Sequence, residues 1–270
     1  MSATVYLISG ANRGIGLGMV AQLAARDNVL VVAGVRRLDT GVSELHALQA
    51  RYPGKIRILK LLSTDKPNNE AAMAEIKKDV GRLDVVIANA GICSEFAPTL
   101  ELSADAIREH HEVNVLGPLI LFQCAYPLLS TTASAPKFVV ISAGMGSFAI
   151  GPSILANMTA YGMSKAAVNW VAAKLHYEHP ELGVFSESRR RDQSDADKEA
   201  QVTLAIHPGV VDTDMATTAI NNEPLLIANA QVITVEECKG YVDIPILTIY
   251  GNTASRVIGS SDGLTHSGWL

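Results

Sequence analysis

The stretch TVYLISGANRGIGLGMV, residues 4–20, decides the fold. Thr4 to Ser9 form an apolar, β-branched run of strand length. Gly10, Gly14 and Gly16 then mark a tight turn, and Leu17, Val20, Ala21 and Ala24 recur behind it at the offsets of a helix facing a sheet. Glycines between a strand and a helix permit positive φ and let backbone N–H groups and the helix N-terminus approach a pyrophosphate. The spacing is G-x3-G-x-G, where the commoner fingerprint is G-x-G-x-x-G. Directly after the first strand of a βαβ series, this turn predicts dinucleotide binding.

The series continues along the chain. NVLVVAGV (28–35), KIRILKL (55–61), LDVVIANAG (83–91), KFVVIS (137–142) and QVTLAIHPG (201–209) read as further strands. Helical patterns begin between them near Gly14, Ser43, Asn68, Ser103 and Thr159. Such alternation predicts right-handed crossovers and an α/β fold, a doubly wound parallel sheet flanked by helices on both faces, with ligands at the carboxyl ends of the strands. No Pro/Gly/Ser-rich linker divides the 270 residues, so one domain over 1–270 is expected. One stretch breaks the rhythm: SESRRRDQSDADKEAQ (186–201) is mixed in charge and free of aromatics, where a helix-to-strand connection usually needs about 2–6 residues. It reads as a solvated insertion. Docking of an anion or partner by Arg189, Arg190 and Arg191 is the alternative.

Composition narrows the function classes. Hydrophobic residues make up 48% and charged residues 18%, with mean hydropathy +0.21, which suits strands buried on both faces. No apolar stretch reads as membrane-spanning, and a net charge of −5 with pI near 5.8 offers no basic footprint for nucleic acid. The chain opens MSATVYLISG, running straight into a strand without a secretory leader, so a cytoplasmic location is expected. Cys93, Cys124 and Cys238 are odd in number and widely spaced, fitting neither a disulfide framework nor a zinc cluster, and no metal is expected.

Two further stretches carry chemistry. At the end of the second strand, where an acid would accept bonds from a ribose 2′-OH, the chain reads GVRRL. Arg36 and Arg37 there, with Arg13 in the glycine turn, converge positive charge where a 2′-phosphate lies and predict NADP(H) over NAD(H); plain solvated arginines are the alternative. In TAYGMSKAAVNW (159–170), Met163, Ala167, Trp170 and Val171 mark a buried helical stripe, and Tyr161 and Lys165 sit at i and i+4 on a neighbouring face. That pair suits a proton donor beside a fixed cation, and a core-capping tyrosine beside a lysine that snorkels to solvent is the alternative.

SGANRGIG, ANAG (88–91), Asn114 in VNVLGP, AYGMSK and HPGVVDTDM (207–215), in this order, resemble a classical short-chain dehydrogenase/reductase over nearly the whole chain. Within that family TVYLISGANRGIG, LDVVIANAG, GPLILFQ, KFVVIS, the LHYE run and a terminal DG...W are similar to the fungal norsolorinic acid ketoreductase group. The resemblance implies a single-domain Rossmann fold and hydride transfer from NADP(H) to a small-molecule carbonyl. It implies that Tyr161 protonates the oxygen, that Lys165 together with the positive nicotinamide of the oxidised cofactor favours the phenolate of a group whose free pKa is about 10, that Lys165 holds the ribose, and that Asn114 anchors a proton-passing water. Cofactor contacts are implied for Gly10, Asn12, Arg13, Gly14, Ile15 and Gly16, for Asn89, Ala90 and Gly91, and for Pro208, Gly209, Val211 and Thr213. Residues 214–250 are expected to shape the substrate pocket, and the apolar helix within 99–130 to pair subunits into a homodimer or homotetramer.

The pattern breaks in VVISAGMGS. Aligning Gly146 with the family glycine puts Ala143 where a serine should bond the substrate oxygen, with Ser142 one residue early. Ser142 is taken here as the donor, with Ser147 the other candidate. Leu62 stands where relatives carry an adenine-contacting aspartate, with Asp65 nearby. A ketoreductase acting on an aromatic or polyketide-like metabolite is expected, and the irregular serine leaves open a non-redox cyclase or isomerase and a cofactor-binding sensor or scaffold.

Overall fold

Strand β1 (Thr4–Ser9) builds two cores at once. Val5 and Leu7 enter one apolar cluster, Tyr6 and Ile8 the other, because successive side chains of a strand point to opposite faces. The same division runs through β4 (Val85–Ala88) and β5 (Lys137–Ile141). Val86, Ala88, Phe138 and Val140 face the first cluster; Val85, Ile87, Val139 and Ile141 face the second. Strands enclosed on both sides read as unbroken apolar runs, which is why they stand out in the sequence. The computed structural model describes residues 3–129, 136–179, 182–184, 204–206, 210–223 and 232–234.

With β2 (Val29–Val35) and β3 (Ile56–Lys60), the parallel sheet runs in the order β3-β2-β1-β4-β5, and β6 (Gly183–Val184) and β7 (Leu204–Ile206) both pair with β5. Helices α1 (Gly14–Ala24) and α2 (Ser43–Arg51) cover the second cluster. The first is covered by α3 (Lys66–Asp79), α5 (Gly117–Leu129) and α6 (Thr159–Glu178). This is the expected doubly wound α/β fold. A short pair, β8 (Val210–Val211) with β9 (Val232–Ile233), lies apart from it, on either side of α7 (Asp214–Asn222) in the chain.

Several details differ from the sequence reading. Helix α1 buries Val20 and Ala24 as expected, but Met19 and Leu23 complete its core face, while Leu17 and Ala21 lie at its margin. Helix α3 starts at Lys66, because the Asp65 carboxylate accepts the Asn68 N–H at 2.9 Å and caps the first turn. On α6 the expected stripe holds in part: Ala167 and Val171 pack against the first core, but Met163 is 44% and Trp170 66% exposed. The buried face is Ala160, Ser164, Val168 and Ala172, a row of small residues at every fourth position, with Leu175 and Lys165. Close approach dictates this choice. A Cβ at Gly146, in the turn after β5, would lie 2.6 Å from the Lys165 backbone carbon, so the contact face has no room for large side chains.

Helix α4 (Ala104–His111) runs through a π-helical turn, Glu112–Leu116, into α5. Contrary to the sequence reading, this 26-residue rod is long and apolar enough to cross a membrane by length and composition. Its Leu121, Phe122, Ala125, Leu128 and Leu129 are buried in the first core, where Phe122 meets Phe138 edge to face at 5.1 Å.

The charged segment is also differently placed. Gly183 and Val184 pair with Lys137 and Phe138, and Leu204 to Ile206 pair with Val139 to Ile141. Strand pairing on β5 thus begins at Gly183, ahead of residues 185–203, and resumes at Leu204. Residues 185–203 lie outside the described residues.

Candidate active site

The glycine turn makes a cradle at the carboxyl end of β1. Gly10 and Gly14 adopt φ of +64° and +52°, and a Cβ on Gly16 would lie 2.2 Å from the Gly10 carbonyl oxygen. Arg13, the N-cap of α1, makes no capping side-chain bond, and the helix has no acid in its first turn. Its leading N–H groups thus have no side-chain acceptor, which fits a pyrophosphate. The Ile15 side chain packs on the second core, leaving its backbone to face a ligand, and Asn12 donates to the Gly41 carbonyl at 3.1 Å. Asn89 braces the turn, its side-chain amide donating to the carbonyls of Ser9 at 3.0 Å and Gly10 at 3.1 Å. The Ala90 N–H donates to Ser9 Oγ at 3.1 Å.

Of the three arginines, Arg36 is exposed, Arg37 pairs with Asp39 at 3.3 Å, and Arg13 pairs with Asp214 at 3.0 Å. Asp65 is occupied as a helix cap, and Leu62 engages Asn68 and Asn69 through its backbone.

At the ends of β4 and β5 the second half of the site assembles. Lys165 is only 5% exposed, and its Nζ donates to the Ile141 carbonyl at 2.8 Å and lies 5.5 Å from the centre of the Tyr161 ring. A Cβ on Gly91 would sit 3.1 Å from Asn114 Oδ1 and 3.7 Å from Lys165 Nζ, so Gly91, Asn114 and Lys165 converge. Asn114 accepts the Ile92 N–H at 2.8 Å and donates to the Ile92 carbonyl and to Ser164 Oγ, both at 2.9 Å. Ser164 in turn donates to the Tyr161 carbonyl at 2.7 Å. The Asn114 side-chain amide is therefore held by Ile92 and Ser164.

Burial pushes the Tyr161 phenol above its ordinary value, with Cys93 adding to the shift, and it pushes Lys165 down to about 8. At both groups burial is the larger cause, because it disfavours the charged form. Cys93 is the site residue that the sequence reading treated as inert core. Burial raises its thiol to about 12, against an opposing effect of Lys165. With Met158 it is buried in an apolar cluster that includes Tyr161, Phe96, Met145 and Met215.

Ser142 does not stand free toward this cluster. Its hydroxyl donates to Asn169 Oδ1 at 2.6 Å, and the Asn169 amide donates to the Gly146 carbonyl at 3.3 Å. Strand alternation explains the direction: Ser142 continues the face of Phe138 and Val140, toward α6. Ala143 caps the following 3-10 turn, Gly144–Gly146. Asn169, one turn beyond Lys165, carried no sequence signal beyond that spacing. Thr213 caps α7 by accepting the Ala216 N–H at 3.2 Å, and Val211 is buried in β8; Pro208 and Gly209 lie outside the described residues.

The model of the short chain dehydrogenase family matches residues 4–186. An uncharacterized oxidoreductase of Schizosaccharomyces pombe is 34% identical over 225 residues, 82% of this chain and 79% of that protein. The norsolorinic acid ketoreductase of Aspergillus parasiticus is 32% identical over 215 residues, 78% of this chain and 72% of that one. Among solved structures, the NADPH-bound carbonyl reductase from chicken fatty liver superposes with a TM-score of 0.72 at 28% identity, covering 89% of each chain. The matched region includes the glycine cradle, Asn114, Tyr161 and Lys165, and the chain belongs to the short-chain dehydrogenase family of oxidoreductases.

Proposed function

We propose that this protein is an NADPH-dependent carbonyl reductase that reduces a ketone of an aromatic or polyketide-like metabolite, with Tyr161 as proton donor. The observation that carries this reading is the convergence of Tyr161, Lys165, Asn114 and Gly91 beside an apolar wall of Cys93, Phe96, Met145, Met158 and Met215. Thioethers and an aromatic ring suit a flat, uncharged substrate. The likeness to an NADPH-bound carbonyl reductase supports the cofactor.

The glycine cradle with Asn12 and Ile15 would hold the pyrophosphate, and Arg13, Arg36 and Arg37 the 2′-phosphate. Asn89, Ala90 and Gly91 would line the adenosine side, Lys165 would meet the other ribose, and Pro208, Gly209, Val211 and Thr213 the carboxamide. NADPH, when bound, supplies the hydride. The chain's own residues supply the proton and the geometry. Tyr161, with its pKa raised by burial, stays a neutral O–H donor throughout the physiological range. Lys165, with its pKa near 8, can exchange a proton close to neutrality and so restore the phenol. Ser142 is committed to Asn169 and Ala143 has no hydroxyl, so the substrate oxygen rests on Tyr161 and, of the serines the sequence offered, on Ser147 alone. Where Ser147 does not reach that oxygen, the missing donor costs on the order of 10² to 10³ in rate. Exposed Leu116, Met163, Trp170 and Tyr177 support a homodimer or homotetramer that covers them.

The test is NADPH oxidation against aryl ketones, quinones and diketones by the native chain and Tyr161→Phe. Native turnover and a loss on the order of 10² to 10⁴ in the variant, with NADPH binding retained, are expected. Tight NADPH binding without turnover by either protein sinks the reductase reading in favour of a sensor, and product formed without NADPH consumption favours a cyclase or isomerase.

A further inference from the structure

We propose that Asp214 sets cofactor discrimination by competing with the 2′-phosphate of NADPH for Arg13. This rests on the NADP(H) reading above. Arg13 NH1 donates to Asp214 Oδ2 at 3.0 Å, and the two side chains are 65% and 77% exposed. The carboxylate thus occupies the anion position of the very guanidinium that the glycine turn presents at the start of α1. An ion pair so exposed is weak, and a dianionic phosphate with three acceptor oxygens displaces a single carboxylate from an arginine.

Asp39 blocks Arg37 in a similar way, but it lies two residues along the same loop. Asp214 is 201 positions from Arg13 and is the first residue of α7. The two segments touch independently of the ion pair: a Cβ on Gly14 would lie 3.1 Å from Thr213 Cγ2. Helix α7 also brings Met215 and Ala219 to the apolar cluster around Tyr161. The occupant of Arg13 therefore decides whether the first turn of α7 is tied to the cofactor cradle. NADPH releases that tie; NADH, with no 2′-phosphate, leaves it in place.

The experiment is fluorescence titration of NADPH and NADH onto the full chain in four forms: native, Asp214→Asn, Arg13→Gln and the double variant. Removing the competing carboxylate is expected to tighten NADPH about 2- to 5-fold and leave NADH unchanged, the range an exposed ion pair allows. In the Arg13→Gln background the Asp214 substitution is expected to change nothing. Unchanged or weaker NADPH binding by Asp214→Asn overturns the proposal, as does equal tightening of both cofactors or an effect that survives without Arg13. Native preference for NADPH alongside any of these results leaves the cofactor reading standing, whereas equal native affinity for NADPH and NADH overturns both.

Discussion

Lys165 holds an ammonium where solvent scarcely reaches, and among the described residues it donates to the Ile141 carbonyl. Burial lowers its pKa from 10.5 to about 8, partly opposed by Cys93. Between those two values the unfolded chain binds more protons than the native one, so raising the pH through this window stabilises the fold. Below about 8 both states are charged and the native state bears the whole desolvation cost, roughly 3 kcal/mol at 1.36 kcal/mol per pKa unit. Lys165→Met is expected to lose turnover, and its stability relative to native should fall as pH rises from about 8 to 10.5. Urea unfolding of both proteins at pH 7 and pH 9.5 checks this. Leaving the Ile141 carbonyl without its donor shifts the difference by a constant, so the slope decides; a pH-independent difference refutes the buried-cation account. At this scale the sequence was partly legible. The i, i+4 spacing of Tyr161 and Lys165 announced a shared face. Cys93, Ser164 and Asn169 act through contacts between β4, β5 and α6, and no local pattern records those.

Between α4 and α5, five residues wind as a π-helix, and Asn114 lies inside that turn, 1% exposed. Single π turns often mark functional sites because they redirect one side chain out of the helical row. Here the redirected amide grips both backbone groups of Ile92. One turn earlier the fully buried His110 bonds the Ala106 carbonyl through Nδ1 at 2.7 Å and accepts the Ser94 N–H through Nε2 at 3.3 Å. The two side chains hold the segment that carries Cys93 against the helix. Asn114→Ala strips Ile92 of two partners, and an unsatisfied buried backbone group costs about 1–3 kcal/mol. A lower urea midpoint and faster hydrogen exchange at the Ile92 amide are expected. An Ile92 amide as protected as in the native chain contradicts the bracing role. The element itself was foreseeable as a long apolar helix, and Asn114 through its motif. The π turn and His110 were not, because apolar periodicity scarcely registers one extra residue in a turn.

Across the whole molecule, the pairing of β5 exposes how the chain is put together. Its successive residues Lys137 to Ile141 meet Gly183, Val184, Leu204, Ala205 and Ile206, without a gap in register. The fold therefore uses residues 183–184 and 204–206 as one strand position, with 185–203 between them in the chain. The sequence reading placed the insertion before the strand because Gly183–Val184 is too short to show as a strand by itself; only non-local pairing reveals it. Holding the two ends of so long an excursion at adjacent strand positions costs roughly 2–3 kcal/mol of chain entropy. Among the described residues, all the partners of β5 lie outside 185–203. A variant with Val184 joined directly to Leu204 keeps five consecutive strand residues in register and is relieved of that cost. It is expected to fold with a higher Tm and to bind NADPH as the native chain does, read by thermal unfolding and cofactor fluorescence. A variant that fails to fold, or folds with impaired NADPH binding, shows that the charged segment contributes to the structure or the site, and returns Arg189, Arg190 and Arg191 to consideration as anion-docking residues.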